Sequence, residues 1–225
     1  MPDHPPSIPL RSGRTLHRLR ARGPGELLQL AARRLKESWR SENELLLNVR
    51  LTEPLKRPGE GLTFRQAAPE DGVRYARDIG TDTEKSFEAR LAPDVMCFVV
   101  ESDDRFLHSS WVTTTGAWTR EIRAFLTPPS GDAYIYESFT RADARGRGIY
   151  PFALAGILTA MAGRGMGQLW VGVESDNVPS RKAIAKAGFR EAFTLRYERR
   201  IGRLTLDEPR GPLAEQARHF VRRKL

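Results

Sequence analysis

A loop rich in glycine and arginine joins two predicted elements of this sequence. Residues Ala133–Thr140 are aromatic and β-favouring, which is typical of a strand, and residues 151–163 favour a helix with Pro151 in its first turn. Glycine lets a phosphate approach the backbone, arginine adds positive charge, and the start of a helix presents N–H groups. The loop is therefore predicted to bind an anion through Arg145, Gly146, Arg147, Gly148, Ile149 and Tyr150.

A second strand is predicted after the helix, over residues 168–173. Strand, helix and strand form a βαβ unit, whose two strands should run parallel. Asn177 and Ser180 follow the unit, and a further helix is expected to end at Gly188, a residue type that favours helix ends. The anion-binding loop is thus the first connection of a βαβ unit.

The order and spacing of these elements resemble the GNAT (GCN5-related) N-acyltransferase family. Its acyl-CoA signature, Arg/Gln-x-x-Gly-x-Gly/Ala, is similar to residues 143–148, and its Asn-x-x-Ser and Gly-Phe elements resemble residues 177–180 and 187–189. The resemblance is strong over residues 133–189 and extends from about residue 62 to residue 204. It implies an α/β fold with a mixed, mostly antiparallel twisted sheet, a central splayed pair of parallel strands and flanking helices.

The resemblance also implies that acetyl-CoA, or another short acyl-CoA, is the co-substrate. Backbone N–H groups of the loop would hold the pyrophosphate, and Asn177 would hydrogen-bond the pantetheine arm, while Ser180 would either do the same or cap the following helix. Because the splayed strands of this family free backbone N–H groups, Phe139 is the expected donor to the oxyanion. The expected cofactor-binding residues are Phe139, Thr140, Arg145, Gly146, Arg147, Gly148, Ile149, Tyr150, Asn177 and Ser180.

Two positions depart from the pattern of the family. Asp143 stands where Arg or Gln is usual, a change that phosphate binding by the backbone tolerates. Ile184 stands where many members carry a tyrosine that acts as the general acid. Tyr136, Tyr150 and Tyr197 are the candidates to replace it. A thiolate leaving group has a pKa near 8.5, so an acid helps the reaction without being essential.

Glu137 is the predicted general base. It is a charged residue in an otherwise apolar strand, which is costly unless the charge is paired, and some members of the family carry an acidic residue there. A salt bridge at the surface of the sheet is the alternative explanation of this carboxylate. A chain of water molecules could take the proton instead.

The composition favours an anionic partner. Lys and Arg number 37 against 28 Asp and Glu among 225 residues, which gives a net charge of +9. The single cysteine, Cys97, excludes an internal disulfide and a cysteine-rich zinc site, so no metal is predicted, and it suits a cytoplasmic location. The acceptor is expected to be a small-molecule or peptide amine, and no specific nucleic acid is expected. A dimer is compatible with the sequence.

The chain is predicted to have an extension on each side of its catalytic domain. Residues 25–39 form a basic amphipathic helix that either packs on the domain or lies on a membrane, so residues 11–40 would suit peripheral contact with anionic lipid. Residues 44–51 form a short strand or a helix end, and the long connection 116–131 either shapes the acceptor pocket or is incidental. The predicted regions are a basic extension (1–60), an acyltransferase domain (61–206) and a basic tail or helix (207–225).

The sequence thus predicts an N-acetyltransferase that passes acetyl from acetyl-CoA directly to a primary amine in a ternary complex. Glu137, Tyr136 and Tyr150 are its candidate catalytic residues. One alternative is a non-catalytic acyl-CoA-binding or regulatory module, which the isoleucine at position 184 favours. Another is a transferase that takes its acyl group from aminoacyl-tRNA and uses the positive charge to bind phosphates.

Overall fold

The computed structural model describes residues 40–54, 61–200 and 203–223. The predicted helix over residues 25–39 lies outside this range, as does nearly all of the proposed membrane-contact stretch. None of the helices in the described part is long and apolar enough to span a membrane. The strands are β1 (Arg40–Leu51), β2 (Thr63–Gln66), β3 (Val95–Ser102), β4 (Arg105–Thr113), β5 (Ala117–Thr119), β6 (Ala124–Leu126), β7 (Ala133–Thr140), β8 (Gln168–Glu174), β9 (Arg190–Arg200), β10 (Arg203–Leu206) and β11 (Val221–Arg223). The α-helices are α1 (Gly72–Asp78), α2 (Glu84–Glu88), α3 (Ile149–Ala162), α4 (Val178–Lys186) and α5 (Ala217–Phe220).

Eight strands form the main sheet in the order β10-β9-β1-β8-β7-β4-β3-β2. The central neighbours β7 and β8 run parallel, and every other neighbouring pair in this sheet is antiparallel. Helix α3 makes the crossover between the two parallel strands, as the βαβ pattern predicts. The predicted mixed, mostly antiparallel sheet with a central parallel pair is confirmed.

Strand β1 is longer and more central than the sequence indicates. It pairs with β8 on one side and β9 on the other, so it lies inside the sheet. Its side chains alternate between the faces, with Leu45 and Leu47 in one core cluster and Leu46 in another. The main sheet therefore begins before residue 61, where the sequence placed the start of the catalytic domain.

Helices cover both faces of the sheet. Helix α3 packs on the face that carries Ile135 and Val171, and α4 contributes Ile184 to the same core cluster. The approach is close at Gly156, where an added Cβ would lie 2.6 Å from the Phe64 ring on β2. Helices α1 and α2 cover part of the opposite face through a cluster that contains Trp111. This two-sided packing fixes the start of α3 beside the end of β7.

The connection between residues 116 and 131 is a folded unit. It contains the hairpin β5–β6, and the C-terminal strand β11 pairs with β6 to give a three-stranded sheet. Leu126 and Phe220 of this unit pack in one cluster with Trp170 and Phe193 of the main sheet. The predicted basic tail over residues 207–225 therefore includes residues that are part of the core.

Candidate active site

The two parallel strands separate part of the way along their length. Their pairing covers Ala133–Ile135 opposite Leu169–Val171, yet β7 continues to Thr140 and β8 to Glu174. The gap along β7 is about 17 Å long, since a strand rises by about 3.3 Å per residue. The open end is the end from which β7 enters the anion-binding loop, so the splayed pair predicted from the family resemblance is present.

The gap is held open by the partners of each strand. At the closed end, the Asp132 carboxylate accepts hydrogen bonds from the backbone N–H of Gln168 and the indole N–H of Trp170, each at 2.9 Å. Toward the open end, β8 stays paired with β1 as far as Glu174, whereas β7 stays paired with β4 as far as Thr140. The backbone edges of β7 and β8 therefore face each other across the gap, where a ligand with an extended polar arm could pair with them.

A β-bulge interrupts β7 at the gap. Ser110 of β4 faces two residues of β7, Glu137 and Ser138, because the register shifts between Ser109 and Trp111. Glu137 has φ +51°, a left-handed conformation that is unusual for a residue other than glycine. Strained backbone of this kind occurs often at functional sites. The bulge turns Glu137 toward the face that carries α1 and α2, and Ser138 toward the α3 face.

The direction of the backbone N–H groups on β7 corrects one sequence prediction. The N–H of Arg141 donates to the carbonyl of Leu107 on β4 at 3.0 Å. N–H groups alternate in direction along a strand, so Phe139 also points its N–H toward β4, where Ser109 is its pairing partner. The N–H groups of Ser138 and Thr140 point the other way, into the gap. Phe139 is therefore not the free oxyanion donor, and Ser138 and Thr140 take that place.

The loop after β7 has the conformation that an anion cradle requires. Gly146 and Gly148 have φ +77° and +73°, and no atom lies within 4 Å of a Cβ built on either. Gly148 is the N-cap of α3, so the N–H groups of Ile149 and Tyr150 belong to the unpaired first turn. Arg145 and Arg147 are exposed on the same loop. Free N–H groups, open space and positive charge thus meet at one end of the gap.

Asp143 is turned away from a role in anion binding. Its carboxylate pairs with Arg141 at 2.9 Å and lies 3.8 Å from Arg105 of β4. The hydrogen bond from Arg141 holds the pKa of Asp143 below its usual range. Arg141 also donates to the Asp78 carbonyl at 2.9 Å, which links the loop to α1. The acidic residue therefore anchors the loop, which is a physical reason why the departure at this position is tolerated.

Glu137 forms an ion pair with a residue that the sequence did not single out. Arg90, just after α2, lies 2.9 Å from the Glu137 carboxylate and 2.6 Å from that of Asp82. Its guanidinium stacks on Trp111 at 3.8 Å from the ring centroid. Burial opposes the Arg90 charge, but Glu137 and Asp82 outweigh burial and raise its pKa. The salt-bridge explanation of Glu137 is thus met, and the pair positions the carboxylate beside the gap.

The three candidate tyrosines lie in different places. Tyr136 is half-buried on the α1–α2 face, and burial raises its pKa although Arg90 opposes the shift. Tyr150 lies in the first turn of α3, and burial raises its pKa to about 12. Tyr197 is buried and donates to Glu174 at 2.5 Å, and burial together with this carboxylate raises its pKa. All three hydroxyls are therefore protonated donors at neutral pH.

Position 184 cannot supply an acid. Ile184 is 2 % exposed and packs in the core cluster beneath α3. A side chain there faces other apolar groups, which excludes proton donation from this helix turn. The donors near the gap are instead hydroxyls of β7 and α3.

Asn177 and Ser180 are joined at the start of α4. Asn177 is the N-cap, and its side-chain oxygen accepts the backbone N–H of Ser180 at 3.3 Å. The suggestion that Ser180 caps the helix is therefore wrong, because Asn177 does so. The helix start follows directly after β8, at the open end of the gap.

Polar strand residues are the class of functional residue that the sequence analysis missed. Ser110 and Ser138 lie on the α3 face at the bulge, with His108 next to Ser110 on the same face. A run of polar residues in an otherwise apolar strand was the available signal. Arg90 carried no such signal, since its partners are distant in sequence.

No group of three or more His, Cys, Asp or Glu side chains in the described part of the chain is arranged to hold a metal ion. Cys97 is fully buried in the cluster that contains Trp111, and burial raises the pKa of its thiol. It is a core residue on the structural evidence.

A mixed sheet whose parallel strands part beside a glycine loop and a helix start is the architecture of the N-acyltransferase fold. The model of the Acetyltransferase (GNAT) family matches residues 64–189, more than half of the chain. The protein belongs to this family. A search of curated protein sequences finds no match.

Solved structures show the same fold at low sequence identity. A GCN5-related N-acetyltransferase from Sphaerobacter thermophilus is 14 % identical with a TM-score of 0.52, over 77 % of this chain and 56 % of that one. A putative GNAT acetyltransferase from Novosphingobium aromaticivorans is 14 % identical (TM-score 0.51; 74 % and 64 %), and a GCN5-related N-acetyltransferase from Kribbella flavida is 17 % identical (0.50; 82 % and 65 %). The chain spans less than two thirds of the length of each of these proteins.

Proposed function

We propose that the protein transfers an acetyl group from acetyl-CoA to a primary amine in a ternary complex. The observation that carries the proposal is the gap between β7 and β8, which opens beside the loop of Gly146 and Gly148 and the start of α3. The loop would hold the pyrophosphate, and the N–H groups that face the gap would pair with the pantetheine arm. The thioester would then lie beside the bulge at Glu137.

The acceptor would approach from the face that carries α1 and α2. Glu137 is directed to this face, where Arg90 holds its carboxylate. When the amine attacks the thioester carbon, its nitrogen becomes positively charged and much more acidic. A fixed carboxylate can then take the proton as the tetrahedral intermediate forms, while a backbone N–H of Ser138 or Thr140 stabilises the oxyanion.

The first test is calorimetric titration of acetyl-CoA into the wild-type protein and into Gly148→Glu. We expect micromolar binding by the wild type and a loss of about 10- to 100-fold in the variant, equivalent to about 1.4 to 2.8 kcal/mol. Glutamate at this position would put a negative side chain where the phosphates lie. A wild-type protein that does not bind acetyl-CoA at low salt would refute the proposal.

Gly165→Glu is the matched control. Gly165 has φ +72° and, like Gly148, has no atom within 4 Å of a built Cβ. The two substitutions therefore impose similar backbone strain. Gly165 follows the other end of α3, a 14-residue helix, about 21 Å away at 1.5 Å per residue. Equal losses of affinity in the two variants would show that the effect comes from strain and not from the phosphate site.

Asn177→Asp separates the cap of α4 from a contact with the pantetheine arm. Aspartate caps a helix as well as asparagine does, so the melting temperature should stay unchanged. The substitution removes the amide donor, and we expect acetyl-CoA affinity to fall about three- to tenfold, the value of one hydrogen bond. Thermal unfolding and calorimetry measure the two effects. Unchanged affinity in a stable variant would leave Asn177 with a structural role only.

A further inference from the structure

A continuous chain of side-chain hydrogen bonds crosses the α3 face of the sheet beside the gap. His108 of β4 is 1 % exposed, and each of its ring nitrogens has a partner. Nδ1 lies 2.7 Å from the hydroxyl of Thr140, and Nε2 lies 2.8 Å from that of Ser110. Both partners are hydroxyls, which can donate or accept.

The chain continues from β4 to α3. The Ser110 hydroxyl lies 2.8 Å from that of Ser138, at the bulge of β7. The Ser138 hydroxyl in turn favours the ionised form of Tyr150 by hydrogen bonding to its phenol. The Tyr150 ring stacks on His108, with 5.3 Å between centroids and 28° between planes. The five side chains therefore link the end of β7 to the first turn of α3.

The imidazole at the centre of the chain is neutral. Burial lowers the pKa of His108 to about 3. The groups that contact it are Thr140 of β7, Ser110 of β4 and Tyr150 of α3, of which only Tyr150 is titratable. A neutral imidazole has one N–H donor and one acceptor nitrogen, so its tautomer decides the direction in which every hydroxyl of the chain donates.

We propose that His108 is a positioning residue whose Nε2–H tautomer aims the Tyr150 hydroxyl at the acyl group in the gap. In this tautomer Thr140 donates to Nδ1, Nε2–H donates to Ser110, Ser110 to Ser138, and Ser138 to the phenol oxygen. The hydrogen of Tyr150 is then left to point outward. The Nδ1–H tautomer would reverse each bond and use the Tyr150 hydrogen inside the chain.

The role of Tyr150 rests on the proposed acetyl transfer. Ser138 has its N–H in the gap and its hydroxyl on Tyr150, so the phenol lies next to the expected position of the thioester. A phenol with a pKa of about 12 does not give its proton to a thiolate, whose pKa is near 8.5. Tyr150 would therefore donate a hydrogen bond to the charge that develops on the acyl oxygen or the leaving sulfur, and would keep its proton.

Two adjacent serines provide a matched test. Ser110 and Ser109 are both fully buried on β4, but the Ser109 hydroxyl is bonded to Tyr75 at 3.2 Å on the opposite face. We expect Ser110→Ala to lower kcat about tenfold with KM for acetyl-CoA within about twofold, since an oriented donor acts mainly in the transition state. Ser109→Ala should leave kcat unchanged. Release of CoA thiol from acetyl-CoA, with water as the acceptor, measures both constants. Equal effects of the two substitutions on kcat would overturn the proposal.

The tautomer can be read without any turnover. In ¹⁵N-labelled protein, the chemical shifts of the two imidazole nitrogens show which one carries the proton, and His108→Gln identifies the signals. We expect a neutral ring protonated at Nε2 from pH 5 to pH 8, and a ring protonated at Nδ1 would overturn the proposal even if turnover by water is too slow to measure. Calorimetry on the same sample separates the two hypotheses. Failure to bind acetyl-CoA refutes the proposed function, whereas normal binding with the Nδ1–H tautomer refutes only the role of His108.

Discussion

Replacing Glu137 by Gln should lower kcat for amine acetylation by about 10²- to 10⁴-fold, the usual contribution of a general base. Glutamine has nearly the same size and the same Cβ, so the strain of the left-handed backbone at this position is unchanged. Binding of acetyl-CoA should also be unchanged, because the loop and α3 are untouched. The measurement is the release of CoA from acetyl-CoA with a panel of primary amines as acceptors.

The control for charge is Glu88→Gln. Glu88 ends α2 and is exposed, and its substitution removes the same charge near the same face of the protein. We expect kcat to be within about twofold of the wild type for this variant, since exposed charges are screened by solvent. If Glu137→Gln turned over acceptors as fast as Glu88→Gln, the proton would leave by another route, such as water, and Glu137 would have no catalytic role.

The second large effect is expected at Arg90. Asp82 is fully buried and lies 2.6 Å from this guanidinium, so Arg90→Met leaves a buried carboxylate without its cation. Breaking a buried pair in this way typically costs about 3–5 kcal/mol of unfolding free energy. Urea denaturation at neutral pH measures the loss. Loss of less than about 1 kcal/mol would mean that Asp82 is stabilised without Arg90.

A double variant identifies the cause of the loss. Asp82→Asn in the Arg90→Met background removes the orphan charge, so the double variant should be more stable than Arg90→Met alone. Arg200→Met is the surface control, because its pair with Glu198 is exposed and such pairs contribute about 1 kcal/mol or less. Arg90→Met should also reduce turnover, since Glu137 loses the group that positions it.

The local elements of the site were predictable from the sequence. Gly146 and Gly148 lie in a loop between a strand and a helix, and the backbone conformations that glycine favours are found there. The alternation of β-favouring residues and the helical composition of residues 151–163 led to the βαβ unit, because these signals depend only on neighbouring residues. The departure at Ile184 was also visible in the sequence, and the structure shows that this residue is part of the core.

Contacts between distant residues were not predictable. Arg90 meets Glu137 because α2 packs on the face of β7, and no pattern in the sequence joins positions so far apart. Strand β1 enters the sheet between β8 and β9, although its residues precede the rest of the catalytic domain. The C-terminal strand β11 completes a small sheet with β6 for the same kind of reason.

The sequence by itself determined the anion-binding loop, the parallel strand pair and the candidate residue Glu137. Only the tertiary structure decided which N–H groups face the gap, because one extra residue at the bulge reverses the direction of every residue that follows. The same bulge sends Glu137 to Arg90 on one face and Ser138 to Ser110 on the other. Residue types select the chemistry that is available, but strand register selects the groups that can reach a bound acyl chain.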